Sequence, residues 1–356
     1  MRIVPCLSRA AGGRQPPAVF GIFSNASFAV IEAEASSGSA LRGFDPIHKV
    51  VQEKFEQPTL RSSRARRWLG HLWHQWTIES WRPIAPAFAK PEPRKWNGAR
   101  VTVAWLGHAT VLINFFGIKI LTDPVLFPRI GIRLPGFTIG PKRLIAPALK
   151  FDELPRIDIV LLSHAHFDHF DLRTLDRFDE HTTAITAPHT RDLLSWTRLR
   201  DVTELRWSER KRVDTPAGKI CILALRVKHW GARKQRDIHR GYNGYLLERN
   251  NRRIIFTGDT ALMNGFADLR EHGSIDLAIV SIGAYNPWIR SHCTPEQAIE
   301  MANAAGARFI MPVHHQTFRL SFEPLREPIE RFEDALCTEP GRIALREIGE
   351  TFVLPM

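Results

Sequence analysis

An apolar run, Ile157–Leu162, leads straight into Ser163-His164-Ala165-His166-Phe167-Asp168-His169, which packs three imidazoles and one carboxylate into the six residues after Ser163. That order lets one strand end feed two metal ions. His164 and His166, two apart, can point the same way from extended backbone and grip one ion. Asp168 and His169, past the bend, can reach a second. A His/Asp set without Cys suits Zn²⁺ first, with Mn²⁺ or Fe²⁺ as alternatives. The bland reading is a polar loop that happens to be His-rich. Four ligand-type residues abutting a buried strand argue against it.

Further ligand types recur downstream in the same setting. Lys219–Val227 reads as a strand and runs into His229; Arg252–Thr257 runs into Gly258-Asp259; Arg308–Val313 runs into His314. In layered α/β folds, sites gather at the carboxyl ends of strands, where loops converge. Any one of these residues alone would be read as structural. Their repetition at strand ends is what points to a site.

At this point the chain resembles the metallo-β-lactamase superfamily, whose signature is H-x-H-x-D-H with a later His, Asp and His. Within it, the chain resembles the N-acyl-phosphatidylethanolamine-hydrolysing phospholipase D family. The resemblance is carried by Trp105–Leu112 (WLGHATVL), Leu121–Pro124 (LTDP), Gly140–Arg143 (GPKR), the His cluster and His229-Trp230. It continues through Gly258–Thr260 (GDT), Ile282–Tyr285 (IGAY) and His314 with Thr317-Phe318, in family order. It implies an αββα four-layer sandwich of two similar halves and a dinuclear zinc site. His164, His166 and His229 would hold one ion, Asp168, His169 and His314 the other, and Asp259 would bridge them. Two close divalent ions repel, and a shared carboxylate and hydroxide offset much of that. The bridging hydroxide would be the nucleophile.

The resemblance also assigns Asp123 to its first acidic motif, where it is expected behind a ligand, steering it; the competing reading is a turn residue before Pro124. It places a substrate-site histidine at His292. That residue precedes a helix start signalled by Thr294, Pro295 and Gln297, and a helix N-terminus favours an anionic phosphate. Lys142 and Arg143 are further candidates to orient an anionic headgroup. In extended backbone His314 and His315 should face opposite ways. The family spacing picks His314, leaving His315 packed or solvent-facing. His108 reads as structural, and His181, His189, His239 and His272 as surface or packing residues. Two stretches depart from the family pattern: a shorter Asn286–Ser291, and Gly241–Tyr245 where tryptophan is usual.

Composition agrees with an anionic substrate. Formal charge is +12, with Arg outnumbering Lys, which favours phosphoesters, acidic lipid surfaces or nucleic acid. No nucleic-acid module accompanies it, so no specific nucleic-acid partner is expected. Cys6, Cys221, Cys293 and Cys337 are scattered without a C-x-x-C pair, which argues against a disulfide framework or zinc ribbon.

The chain divides into three parts. Residues 1–45 read as a weakly ordered leader. Within it Ala18–Ile31 is apolar but interrupted by Ser24, Asn25 and Ser27, so a secretion signal is not expected. Residues 46–98 read as a helical extension. There Leu69, Leu72, Trp73 and Trp76 fall at helical spacing behind Arg61, Arg64, Arg66 and Arg67, a stripe that packs on the core or rests on anionic lipid. Residues 99–356 read as the catalytic domain. It opens with strands at Val101–Leu106, Thr110–Phe115 and Ile118–Thr122, the last pair turned by Gly117. It continues with Ile157–Leu162, a helix Leu172–Phe178, a strand Thr183–Thr186 and a helix Pro295–Ala305, and closes with strands at Ile343–Ile348 and Thr351–Leu354. The expected activity is phosphodiester hydrolysis at a cytoplasmic or peripheral-membrane location. A lactone or carboxylic-ester hydrolase of the ascorbate-phosphate lactonase type is the alternative, and a non-enzymatic metal- or nucleic-acid-binding protein the third reading.

Overall fold

In the computed structural model, residues 81–356 are described, apart from Gln235 and the side chain of His272. The expected leader and the Leu69–Trp76 stripe lie outside the described residues. The first sheet begins with an antiparallel meander of β1 (Val101–Gly107), β2 (Thr110–Phe115) and β3 (Ile118–Thr122). Phe116 and Gly117, at φ 51° and 93°, form the two-residue turn that pairs Phe115 with Ile118. A separate hairpin, β4 (Ile132–Leu134) and β5 (Phe137–Ile139), pairs with no other strand among the described residues. Then β6 (Ile159–Leu162), β7 (Thr183–Thr186) and β8 (Val202–Glu204) extend the sheet in parallel.

The second sheet contains β9 (Arg210–Thr215), β10 (Gly218–Leu225), β11 (Gly244–Arg249), β12 (Arg252–Phe256), β13 (Ile275–Ser281) and β14 (Ala307–Val313). Finally β15 (Thr351–Val353) returns to flank β1. The sheet orders are β15-β1-β2-β3-β6-β7-β8 and β14-β13-β12-β11-β10-β9.

Alternation along the strands dictates the layering. Ile222, Ala224, Tyr245, Leu247, Ile254, Phe256, Leu277 and Ile279 belong to one core with the first sheet. Their neighbours Leu223, Leu225, Leu246, Ile255, Ala278 and Val280 face the other way, with Ile299 and Met301 of helix Pro295–Ala304 and Phe332 of helix Glu327–Ala335. A sheet buried on both faces needs a helical cover. On the far side, Leu175 and Leu194 of the short helices Leu172–Leu175 and Arg191–Leu194 join the first core. The result is the expected αββα sandwich.

Two elements differ from expectation. The helix at Leu172 lasts one turn, and Ile343–Ile348 forms no strand: Ile343 makes a single bridge to Ile310, and Leu345 and Ile348 are buried from a loop. Among the described residues, no helix is long and apolar enough to cross a membrane. The two sheets are stitched where β6 ends. The Tyr245 hydroxyl donates to the Leu162 carbonyl at 2.8 Å, and the Asn243 N–H to the Ser163 carbonyl at 2.9 Å.

Candidate metal centre

The loops after β6, β12 and β14 meet because backbone can approach closely there. A Cβ at Gly258 (φ +57°) would lie 2.7 Å from Ser163 Cβ, so only glycine lets the Asp259 loop reach the His164 loop. His314 follows β14 in the left-handed region, at φ 67°. The extended backbone expected for the His314-His315 pair is therefore incorrect. The kink after Val313 swings His314 toward the histidine loop, while His315 turns back against Trp105, with ring centroids 4.5 Å apart.

Three imidazoles form the first cluster. His164 Nε2 lies 2.8 Å from His166 Nδ1 and 3.2 Å from His229 Nε2, and the last two nitrogens are 3.4 Å apart. Their outer partners assign the protons. His229 Nδ1 donates to the Ser291 carbonyl at 2.9 Å, leaving Nε2 bare. The Ser163 hydroxyl donates to Asp123 Oδ2 at 2.5 Å and so accepts from His164 Nδ1 at 2.8 Å, again leaving Nε2 bare.

The second cluster is richer in carboxylate. Asp168 Oδ2 lies 3.4 Å from both His169 Nε2 and His314 Nε2, and those two nitrogens are 3.1 Å apart. His169 Nδ1 donates to Asp123 Oδ2 at 2.7 Å. Asp259 Oδ2 stands between the clusters, 3.1 Å and 3.2 Å from His169 and His314 Nε2, and 4.0 Å and 3.9 Å from His164 and His229 Nε2. His292 Nδ1 is buried without a hydrogen-bond partner, 3.8 Å from the same oxygen.

This donor set fits divalent ions. Bare nitrogens turned toward one another at 2.8–3.4 Å repel unless positive charge lies among them. A tetrahedral ion with nitrogen ligands at about 2.0–2.1 Å sets those ligands roughly 3.3 Å apart, close to the spacing found. Neutral imidazole with carboxylate and no thiolate suits zinc, and manganese or iron as well.

The two halves differ electrically. Burial, with the neighbouring histidines, pushes His164 well below the ordinary imidazole range, His166 to about 3 and His229 to about 4, so these rings stay neutral. Burial also opposes charge on His169 and His314, but Asp259 and Asp168 outweigh it. His169 is held well above its usual value and His314 is raised to about 9. Desolvation likewise disfavours the anions of Asp168 and Asp259, yet the His169 charge and its neighbours hold both well below the usual carboxylate range.

All seven expected ligand residues and His292 come together, and Asp123 sits behind them, touching His169 directly. One reading needs revision. His108, taken as structural, enters the second cluster with Nε2 2.9 Å from Asp168 Oδ2. Its turn is pinned by Trp105 Nε1 and the His314 N–H, which both donate to its carbonyl, and by Thr317 Oγ1, which accepts from its N–H. The GHAT motif between two strands was the available signal.

A second correction concerns Arg143. It is fully buried, lies 5.1 Å over Phe318 and donates to the carbonyls of Phe127, Ile145 and Val125, so it cannot orient a headgroup. Lys142, half-buried, donates from Nζ to the Arg82 carbonyl at 2.6 Å. His181, His189 and His239 are exposed, as expected.

A groove of about 820 Å³ opens beside the first cluster, lined by Trp207, Leu223, Leu225, Tyr242, Met263 and Phe266, with Arg226 and Lys228. The Tyr242 ring lies 6.3 Å from that of His229. Trp230 covers His166 and His229 at 4.7 Å and 4.5 Å.

Residues 119–315 match the family described as beta-lactamase superfamily domain. N-acyl-phosphatidylethanolamine-hydrolyzing phospholipase D 1 of Caenorhabditis elegans is 33% identical over 274 residues, covering 69% of this chain and 74% of its own. An uncharacterized protein of Mycobacterium tuberculosis is 32% identical over 279 residues, covering 76% and 73%. Among solved structures, an isothiocyanate hydrolase from Delia radicum gut bacteria shares the fold, with a TM-score of 0.58, 16% identity, and coverage of 72% of this chain and all of the other (100%).

Proposed function

Because the chain belongs to the metallo-β-lactamase superfamily and is a metal-dependent hydrolase, we propose that it cleaves a phosphodiester in an N-acyl-phosphatidylethanolamine-like phospholipid, in phospholipase D fashion. The observation that carries the substrate class is the likeness to the nematode phospholipase. The groove beside His229 supports it: apolar and aromatic side chains suit an acyl chain, and Arg226 and Lys228 suit an anionic headgroup.

His164, His166 and His229 would hold one zinc ion and Asp168, His169 and His314 the other, with Asp259 between them; manganese or iron suits the same donors. Two such ions, when bound, supply Lewis acidity toward phosphoryl oxygens and a water acidified toward neutrality. The protein's own residues do the positioning. Asp123 orients His169 directly and His164 through Ser163; Ser291 orients His229. His292, buried and without a hydrogen-bond partner at Nδ1, would hold a phosphoryl oxygen. Trp230 packs on the His166 and His229 rings. In the balanced reaction, water oxygen bonds to phosphorus and the P–O bond to the N-acylethanolamine breaks. The water proton ends on the departing alkoxide.

Hydrolysis in ¹⁸O-labelled water, with zinc-loaded protein, tests this. Label in phosphatidic acid is the expected result. Turnover of a lactone alone would assign the site to carbonyl chemistry and overturn the phosphodiester reading.

A further inference from the structure

We propose that the β4–β5 hairpin, together with Ile289, is a docking surface for an anionic phospholipid bilayer. It would set the rim of the metal centre against the lipid.

Residues 132–137 (Ile-Arg-Leu-Pro-Gly-Phe) are all exposed, and Ile132, Leu134 and Phe137 are 52%, 37% and 47% accessible. Three apolar side chains sit on a hairpin that, among the described residues, no other strand joins, and they form an apolar patch. The hairpin is also built to stand firm. At its base a Cβ on Gly131 or Gly140 would lie 2.1 Å from the carbonyl oxygen of Ile139 or Ile130, so the two chains touch backbone to backbone. Arg173 donates to Thr138 Oγ1 at 3.0 Å and to the Arg129 carbonyl.

The base connects to the catalytic loop. Ile130 clusters with Val125 and Phe318, and Phe167, between His166 and Asp168, packs on that cluster beside Leu320. Further round the rim, the Phe322 N–H donates to the Asn286 carbonyl. The following loop carries Ile289 and ends at Ser291, whose carbonyl holds His229. Ile289 is 44% exposed. Exposed apolar side chains are thus carried by segments that connect to the ligand cluster through Phe167 and through Ser291.

Charge selects the partner. From Pro124 to Lys150 the chain has no Asp or Glu and carries Arg129, Arg133, Lys142, Arg143 and Lys150. Arg143 is buried inside the fold, but Arg133 on the hairpin and Arg290 and Arg319 on the neighbouring loops are exposed. Glu323, the acid nearest Arg319 in sequence, accepts from the N–H groups of Ala284 and Asn286, and Glu296, nearest Arg290, pairs with Arg331. Exposed apolar side chains on segments that also carry exposed arginine match the boundary between anionic headgroups and acyl chains. A protein partner would be matched less well by a cationic rim with a small, protruding apolar tip.

The membrane contact stands independently of the reaction; its benefit to catalysis rests on the phospholipid reading above. The test is co-sedimentation of the full chain with phosphatidylcholine vesicles, with and without phosphatidylserine. The variants are the double substitution Leu134→Ser, Phe137→Ser and the single Arg133→Glu. Wild type should partition onto the serine-containing vesicles. The double variant should bind roughly tenfold or more weakly, and Arg133→Glu several-fold more weakly, with the larger deficit at low salt. Melting temperature and turnover of a short-chain soluble phosphodiester should be unchanged in both. Hydrogen exchange should show residues 132–137 protected on vesicles. Wild type that ignores vesicles, or a double variant that binds them equally, overturns the proposal. Vesicle binding without phosphodiester turnover would leave the surface standing and remove the catalytic reading.

Discussion

The all-imidazole cluster of His164, His166 and His229 and the carboxylate-rich cluster of Asp168, His169 and His314 share Asp259, yet they are held in unlike ways. Neutral groups stand behind the first: the Ser163 hydroxyl and the Ser291 carbonyl. Its rings are kept neutral by burial, so their lone pairs already point inward. Behind the second stand an acid and another imidazole, Asp123 and His108. There His169 and His314 carry charge balanced by Asp168 and Asp259. A cation entering the first cluster relieves lone-pair repulsion, whereas one entering the second meets the negative charge of Asp168 and Asp259. Similar ligands can therefore be preorganised by neutral dipoles or by compensating charge.

Asp259 is where the two halves meet, and its loss should be the most damaging. Asp259→Asn should lower turnover about 10³-fold. Elemental analysis should find fewer ions than the two per chain expected of wild type. Full occupancy and activity in that variant would mean the halves are not coupled through this carboxylate.

Asp123 backs His169 directly and His164 only through Ser163, whereas Ser163 backs His164 alone, so the two substitutions weigh on the halves unequally. Asp123→Ala strips His169 of its acceptor and should weaken ion binding in the carboxylate-rich half by about 10–100-fold. Ser163→Ala removes the partner of His164 and should weaken the imidazole half, by about tenfold. Titration with graded chelators resolves the two ions. Loss from the carboxylate-rich half in Ser163→Ala would erase the distinction.

His108 tests whether an imidazole behind a carboxylate matters as much as a carboxylate behind an imidazole. His108→Ala should reduce turnover by about tenfold through a looser Asp168, with His108→Gln recovering part of it. No difference between the two substitutions would show that the Asp168 contact is dispensable.

The smallest effect belongs to His315, which packs on Trp105 away from both halves. His315→Ala should change kcat/KM by no more than about threefold while lowering the melting temperature through the cavity left behind. An activity collapse as deep as that of His314→Ala would reverse the assignment of these neighbours.

Much of this arrangement was readable from local pattern. The meander β1–β3 has the expected edges at Thr110–Phe115 and Ile118–Thr122, because alternation and the Phe116-Gly117 turn are properties of adjacent residues. Thr294 caps its helix with a reciprocal Gln297 contact, as a four-residue motif should. The expected ligands stood at strand ends for the same reason. What escaped was non-local. His108 meets Asp168 across 60 residues, through a turn whose position depends on Trp105, His314 and Thr317. Arg143 looked available beside the site, but carbonyls from Val125, Phe127 and Ile145 surround it. Ile343–Ile348 had strand-like composition but finds only one bridge, so its apolar residues bury themselves from a loop.

Residue types and their periods were enough to name the donor atoms, the strands that carry them and a two-sheet layering, since each follows from short-range stereochemistry and the burial of apolar faces. They could not say which nitrogen of each imidazole would be bare. That depends on Asp123, Ser163 and Ser291, which three different segments bring behind the rings. Nor could they place a single oxygen of Asp259 within 4.0 Å of four histidine nitrogens in two clusters. That placement required β6, β12 and β14 to end at one point, and a glycine at 258 to let their loops touch.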